Sequence, residues 1–394
     1  MNRRQALVTM VASSLVLARR SLAAEPKLRV GVIGHTGHGD YGHGLDIVWQ
    51  RLPQTEIVAV ADADEAGLTA EQKKLGLATG FRDYREMLRT AKPDLVAICP
   101  RFIDEHAEMV LAAVESGAKG VYVEKPICRT PAEADRIVAA CEAHGTRLAI
   151  AHRNSYHPAL PVVDKLLESG AIGRLLELRG RGKEDARGGA LDLWVLGGHV
   201  LSLIERFGGR PLACSASLLQ DGRPATRADV VEGAEGVGLI AGNELHARFD
   251  MERGVPAFFE SVHDAAGKGQ GFGLQLVGTK GIIDLRCDTV PFAHILPGSP
   301  FRPSKEPRVW KEISSAGVGE SEPLPDLPLR LSSHQLAVED LLASIAEKRR
   351  PLCDERHGRT LVEMVAGCFE SHRRGGARVE LPLVERDNPL ARLT

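Results

Sequence analysis

The sequence predicts a doubly wound α/β domain with a mostly parallel sheet, followed by an α+β domain with a large, mainly antiparallel sheet. Three observations predict it. From Lys27 onward, apolar strands alternate with longer helical stretches, the rhythm of a helix-covered parallel sheet. A glycine-rich turn follows the first of these strands. Beyond Gly209 the alternation gives way to closely spaced strands joined by short turns.

The first domain is expected over 27–150, with strands at 28–33, 55–61, 95–99, 120–123 and 147–151. Helices are expected between them at 44–51, 66–75, 84–91, 104–116 and 131–143. Lys92-Pro93-Asp94 and Ser116-Gly117-Ala118 punctuate the alternation as loops. A second domain over 151–384 opens with helices at 159–169 and 191–207 and a strand at 175–181. Strands follow at 212–219, 237–241, 244–250, 257–263, 273–277 and 282–285, with turn signals at Gly242-Asn243 and Gly278-Thr279-Lys280-Gly281. The proline-, serine- and glycine-rich stretch 296–331 reads as an irregular loop. Helices at 334–348 and 358–373, a strand at 378–383 and a tail at 385–394 complete the chain.

At 394 residues the chain has the length of two ordinary domains. With 43% hydrophobic residues, 26% charged residues and a net charge of −2, it carries no bias toward nucleic acid or anionic lipid. The seven cysteines, at 99, 128, 141, 214, 287, 353 and 368, are scattered without a CxxC pair. They point to buried thiols, not to a disulfide framework or a zinc site.

Residues 1–24 read as an export signal: Asn2-Arg3-Arg4, a short apolar run over 6–18, Arg19-Arg20, then small residues at 21, 23 and 24. Paired arginines and a weak apolar run resemble a twin-arginine leader, which would place the mature protein in the periplasm or outside the cell. A frayed amphipathic helix is the other reading. No later segment has the length and apolarity of a membrane span.

The chemistry-bearing residues begin at Arg29, where an apolar strand runs into Gly34-His35-Thr36-Gly37-His38-Gly39. Such a turn brings backbone amides to a pyrophosphate, with the dipole of a following helix favouring the negative charge. Thr36 stands at the middle glycine of the GxGxxG pattern. Asp62, ending the strand Val58-Ala59-Val60-Ala61, is placed to accept hydrogen bonds from an adenosine ribose, and its charge selects NAD over NADP. Together these features describe a Rossmann domain; turn glycines beside a solvated aspartate are the plainer alternative. Because His35, His38 and His43 straddle the turn without an acidic or thiolate cluster, no metal site is assigned.

Cys99-Pro100 and His106 are expected beside the nicotinamide half of the crevice, with backbone packing as their role and a helix-start histidine bonded to backbone as the plainer reading of His106. Glu124-Lys125-Pro126 closes the strand over 120–123, which puts Lys125 on the ligand-binding rim. Further on, 179–199 reads RGRGKEDARGGALDLWVLGGH. On one continuous helix, Asp192 and His199 share a face about 10 Å apart, able to border one cleft without bonding directly. His199 suits proton transfer to or from a substrate hydroxyl, although a core histidine is the plainer reading.

These stretches together resemble the Gfo/Idh/MocA family over residues 27–384. The carriers are VGVIG and its turn, Ala61-Asp62, Cys99-Pro100 with His106, Glu124-Lys125-Pro126, the segment ending at His199, and Gly278-Thr279-Lys280-Gly281. The resemblance implies an NAD(P)-dependent oxidoreductase moving hydride between a nicotinamide and a hydroxyl carbon of a sugar, cyclitol or glycoside. It implies that Lys125 positions substrate at the nicotinamide across a cis Lys125-Pro126 bond, and that His199 acts as acid or base. A homo-oligomer through the exposed sheet face follows in the same way. His152, Arg153, His157, Lys183 and Asp185 are candidate sugar contacts, each equally readable as a solvated surface residue.

The chain departs from the family pattern at named positions. Val195 and Ser202 stand where aspartates often flank the histidine, and Ser155 stands where an arginine often precedes Pro158. Leu191 and Gly198 replace an acid and a threonine of a related subfamily stretch. Two alternatives follow: redox-neutral glycoside cleavage with a tightly retained NAD loaded before export, and a catalytically silent sugar-binding or assembly protein.

Overall fold

The computed structural model describes residues 26–265 and 271–394, so the export-signal expectation at 1–24 lies outside the described residues. Six parallel strands form the first sheet: β1 (Leu28–Ile33), β2 (Thr55–Ala61), β3 (Gly80–Phe81), β4 (Leu95–Ile98), β5 (Gly120–Val123) and β6 (Arg147–Ile150). Their order is β3-β2-β1-β4-β5-β6, so the direction of winding reverses between β1 and β4. In such sheets a crevice opens at that switch point, beyond the carboxyl ends of the strands. β4 and β5 are buried at every residue because helices cover both sheet faces, which is why they read as unbroken apolar runs.

The helices of this sheet are α1 (Glu65–Leu75), α2 (Tyr84–Ala91), α3 (His106–Glu115) and α4 (Pro131–His144). Local signals set their ends. Asp64 caps α1 by accepting from the Gly67 amide, and Gly76 closes it in the left-handed conformation. Thr130 caps α4 ahead of a proline in its first turn.

The helix expected over 44–51 is not formed; only a 3-10 turn at Val48–Arg51 follows the glycine-rich segment. Gly37, Gly39, Asp40, Gly42 and Gly44 all adopt positive φ, which a right-handed helix excludes. The helix dipole anticipated at the turn is therefore absent.

The second sheet has ten strands: β7 (Leu175–Arg181), β8 (Pro211–Gln220), β9 (Arg223–Pro224), β12 (Glu244–Met251), β13 (Ala257–Val262), β14 (Gly273–Gly278), β15 (Gly281–Arg286), β16 (Ala293–Pro297), β17 (Lys311–Ile313) and β18 (Val379–Glu380). The expected strand at 237–241 is instead half of a two-stranded ribbon, β10 (Val231–Glu232) with β11 (Leu239–Ile240). Only β7 and β13 pair in parallel, so the sheet is mixed but mainly antiparallel. α5 (Leu160–Glu168) precedes β7.

The single helix expected over 191–207 is two, α6 (Ala190–Val195) and α7 (Gly197–Gly208), broken at Leu196, whose φ of −125° and ψ of −36° leave the helical region. Gly197 packs so closely on the Phe259 ring that a side chain there would meet it at 3.0 Å. The 296–331 segment, expected to be irregular, contains β17 and α8 (Leu327–Ser332).

The last helices, α9 (Gln335–Glu347) and α10 (Glu355–Arg373), join the two sheets. Although α9 lies in the stretch assigned to the second domain from sequence, Ala337, Val338 and Leu341 share a core with Val30 and Tyr122 of the first sheet and with Trp49 of the 3-10 turn. The Tyr122 hydroxyl and His334 Nδ1, 2.8 Å apart, mark the same seam. α10 packs against both α4 and β8. Among the described residues no helix is long and apolar enough to cross a membrane.

Leu341 is fully buried where α9 meets the first sheet. Leu341→Ala is expected to destabilise the protein by about 2–5 kcal/mol through the cavity left there. Urea unfolding checks it, and a loss below about 0.5 kcal/mol would show that α9 docking contributes little to the first sheet.

Candidate functional site

Asp62 ends β2 and organises the glycine-rich turn. The Thr36 amide donates to both carboxylate oxygens at 3.1 Å, the Thr36 hydroxyl donates at 2.7 Å, the Tyr41 hydroxyl at 2.9 Å and the Asp64 amide at 2.9 Å. A carboxylate offers about four acceptor sites, so this set saturates it. Asp62, the ribose acceptor expected from sequence, is 1% exposed and is occupied by these donors. Burial, then Asp62, pushes the Tyr41 phenol pKa far above its ordinary value and keeps it a donor.

The Tyr41 ring lies directly over Gly34, where an added side chain would meet it at 2.2 Å. Gly37, by contrast, faces open space at φ +80°. The turn lies at the switch point of the sheet, but its Thr36 amide is held by Asp62 and its Gly37 amide donates to Asp40 at 3.0 Å, so a pyrophosphate reaches them only by displacing those carboxylates, as a ribose hydroxyl reaches Asp62 only by displacing the Tyr41 hydroxyl. His35 and His38 point away from Asp62, toward the start of α3: His35 Nδ1 pairs with Glu105 at 2.6 Å and His38 Nε2 with Asp104 at 2.9 Å. Gly39 packs on the backbone of Arg101-Phe102. Among the described residues no group of three or more histidine, cysteine, aspartate or glutamate side chains is placed to hold a metal.

Glu124-Lys125-Pro126 leaves β5 through a cis Lys125-Pro126 bond. Glu124 is fully buried; it accepts from the Lys125 amide at 2.5 Å and contacts His43 Nδ1. Burial pushes its carboxyl upward, but Lys125 and His43 prevail and hold it at about 2. His106 ties this turn to the end of β4, with Nδ1 2.7 Å from the Pro126 carbonyl and Nε2 2.7 Å from the Pro100 carbonyl. Cys99 and His106 are fully buried and build the turn behind the crevice, in keeping with the backbone-packing role expected of them and with the backbone-bonded reading of His106.

Lys125 reaches out of the first sheet. Its Nζ donates to the Val195 carbonyl at 2.8 Å, at the end of α6. The position where a carboxylate side chain was missing in the sequence supplies a backbone acceptor instead. Four residues on, His199 is 4% exposed and its Nδ1 has no hydrogen-bond partner. Burial, joined by Lys125 and Arg153 and opposed by Asp288, pulls its pKa to about 4, so the ring is neutral at pH 7. His152 Nδ1 is likewise buried and unpartnered, and its ring stands perpendicular to His199 with centroids 5.8 Å apart.

Asp192 does not share a face with His199, because the break at Leu196 separates their helices. It is fully buried and accepts from the Ser261 hydroxyl at 2.6 Å and the Glu184 amide at 3.1 Å, which anchors the 182–189 loop. That loop carries Lys183 and Asp185, the latter paired with Arg187 at 2.5 Å. His157 lies elsewhere, stacked on Phe292 at 4.3 Å with Nδ1 accepting from the Ala159 amide, and lines a separate 280 Å³ cavity. Arg153 is brought near His199 through Asp288, which it meets at 2.9 Å and which Asn154 also contacts at 3.1 Å. Asp288, from the β15–β16 turn, and His357, from α10, were not found from sequence. No local pattern marks either; both arrive by long-range folding.

The neutral imidazoles set a pH dependence. His199 and His157, both held near 4 chiefly by burial, would titrate near 6.5 when unfolded. Their folded values lie below the unfolded ones, so the unfolded chain binds more protons as pH falls, and stability present above pH 6.5 is lost toward pH 4. Urea midpoints are expected to drop across that window and to drop less steeply in His199→Asn. An identical pH profile for the variant would contradict the assignment of His199 as a buried neutral ring.

Comparison with known proteins places this geometry. Residues 28–152 match the profile of the Gfo/Idh/MocA oxidoreductase family, described as an NAD-binding Rossmann fold. D-Apiose dehydrogenase of Paraburkholderia graminis is 34% identical over 125 residues, covering 32% of this chain and 33% of that protein. Levoglucosan dehydrogenase of Pseudarthrobacter phenanthrenivorans is 26% identical over 258 residues, covering 59% and 65%. The matched stretches thus span from a third to just under two thirds of these relatives. Among solved structures, levoglucosan dehydrogenase in complex with NADH and L-sorbose superposes with a TM-score of 0.70 at 19% identity, covering 91% of this chain and all of that one. An inositol dehydrogenase homolog from Azotobacter vinelandii, complexed with NADH and myo-inositol, gives 0.68 at 17%, covering 90% and 98%. Residues 28–152 thus match the NAD-binding Rossmann fold of the Gfo/Idh/MocA oxidoreductase family, and the chain shares its fold with these solved structures.

Proposed function

We propose that the protein is an exported NAD-dependent oxidoreductase that moves hydride between the nicotinamide and a hydroxyl-bearing carbon of a sugar, cyclitol or glycoside. The observation that carries the reading is the approach of Lys125 to the helix break preceding a buried, neutral His199, at the rim of the parallel sheet. The kinship of residues 28–152 supports the cofactor, and the named relatives support the substrate class.

The glycine-rich turn over 34–39 would hold the pyrophosphate, the Thr36 and Gly37 amides exchanging their bonds to Asp62 and Asp40 for it, with Asp62 disfavouring a 2′-phosphate. When bound, the nicotinamide supplies the hydride chemistry. His199, neutral and with a free Nδ1, accepts the hydroxyl proton, and the Lys125 ammonium stabilises alkoxide character on the substrate oxygen. His152, Arg153 and Lys183 are the candidate sugar contacts, and Asp288 holds Arg153 in place.

Native mass spectrometry of protein purified without added cofactor tests the first part, with a bound dinucleotide as the expected result. NADH formation with levoglucosan and myo-inositol tests the second. Lys125→Ala is expected to retain dinucleotide and lose about a hundredfold or more in kcat. Protein that neither contains nor binds a nicotinamide would falsify the reading, and release of free sugar without added NAD would move it to redox-neutral glycoside cleavage.

A further inference from the structure

His199 is buried, so a proton it accepts from a substrate hydroxyl needs a way out. Along one face of α7, Ser202 lies one turn beyond His199 and Glu205 one turn further, about 4.5 Å and 9 Å along the axis. The Ser202 hydroxyl is 2.9 Å from His357 Nε2, and His357 Nδ1 is 2.5 Å from the Glu205 carboxylate. A second hydroxyl, Ser155, sits 2.6 Å from Ser202. The His152 ring stands between the two other imidazoles, perpendicular to both, with centroids 5.8 Å from His199 and 5.4 Å from His357. At the far end, Ser155, Ser202, Glu205, Arg206 and His357 line a cavity of about 340 Å³.

We infer that His152, His357 and Glu205, with the Ser202 hydroxyl, form a proton port connecting His199 to solvent in that cavity; the inference rests on the function proposed above. In the oxidative direction the O–H bond of the alcohol breaks and its proton passes to His199. The C–H bond breaks with its electron pair, which leaves as hydride to the oxidised nicotinamide, and the alcohol carbon becomes a carbonyl. The proton then moves by way of His152 and the Ser202 hydroxyl to His357 Nε2, and His357 releases one proton from Nδ1 through Glu205 to the cavity. Reduction runs the same steps in reverse.

Three observations favour a port over simple packing. Buried imidazole nitrogens normally have hydrogen-bond partners, yet two without one, on His152 and His199, belong to neighbouring rings of the row. A cavity of about 20 Å³ bordered by Lys125, His152 and Gly198 is large enough for one water. The charge states also differ along the row. Burial holds His152 and His199 below their ordinary values; at His357 burial acts the same way, but Cys353 and Glu205 prevail and hold it well above. His357 is faced by Glu205 and Arg206 from α7, by His152, and by Cys353, Asp354 and Arg356 around the start of α10. Serine, histidine and carboxylate in this order also describe a hydrolase, but Ser202 is 2% exposed in mid-helix and shares its hydroxyl with Ser155. It is placed to pass a proton, not to attack a substrate.

The test is made on the full chain, first without any ligand. Water exchange of the His152 and His199 ring protons, read by NMR on 15N-histidine-labelled protein, is expected to slow about tenfold or more in His357→Ala and in Ser202→Ala, with imidazole restoring the rate in the former. Ser202→Ala removes a single oxygen and keeps the test open where His357→Ala fails to fold. In turnover, both variants are expected to lose kcat with KM unchanged, and His357→Ala to regain it with added imidazole. Unchanged ring-proton exchange in a folded variant overturns the port whatever the activity. Absence of nicotinamide binding by the wild type overturns the proposed function instead.

Discussion

The bond from Lys125 Nζ to the Val195 carbonyl joins the two halves of the site. Lys125 leaves the first sheet at the end of β5, and Val195 ends α6 in the second half of the chain. A carbonyl in the last turn of a helix carries partial negative charge and lacks an intrahelical partner, so a lysine there satisfies both the acceptor and the dipole. The bond is made at the helix break that turns the chain into α7, and α7 carries His199, Ser202 and Glu205. A carboxylate at 195 would pair with the ammonium through a side chain; the backbone acceptor leaves more of the lysine field available to a ligand oxygen.

A second constraint acts at the glycine-rich turn. Asp62 gathers Thr36, Tyr41 and the Asp64 amide into one buried network, and Tyr41 packs on Gly34 as a result. Five residues between 37 and 44 adopt positive φ, so the chain wraps back over the strand ends instead of starting a helix. The turn therefore relies on individual backbone amides, without a helix dipole, for any affinity toward phosphate. His43, carried by the same wrap, reaches Glu124 and links the dinucleotide turn to the base of Lys125.

Burial separates the histidines by role. His106 spans two carbonyls and fixes the cis turn, and His157 bonds a backbone amide while stacking on Phe292. His152 and His199 are equally buried but retain unpartnered nitrogens, whereas His357 pairs with a carboxylate at the wall of a cavity. Composition cannot distinguish such cases, because the same ring becomes a staple, a base or an ion-pair partner according to what is folded around it.

By itself the sequence determined the alternation of strand and helix, the glycine-rich turn ending β1, Asp62 at the end of β2 and Lys125 at the end of β5. These are local properties: apolar periodicity, turn chemistry and capping act within a few residues, so they survive without knowledge of the fold. The sequence misjudged what depended on distant partners. The helix expected at 44–51 is reduced to a 3-10 turn at Val48–Arg51 behind a run of positive-φ residues, the helix at 191–207 broke where Gly197 meets Phe259, and Asp192 turned to Ser261. Only the tertiary structure placed α9 on the first sheet and brought Asp288 and His357 to His199 from 89 and 158 positions away in the chain. Such contacts depend on how whole elements pack, and packing leaves no short-range trace at the residues it joins.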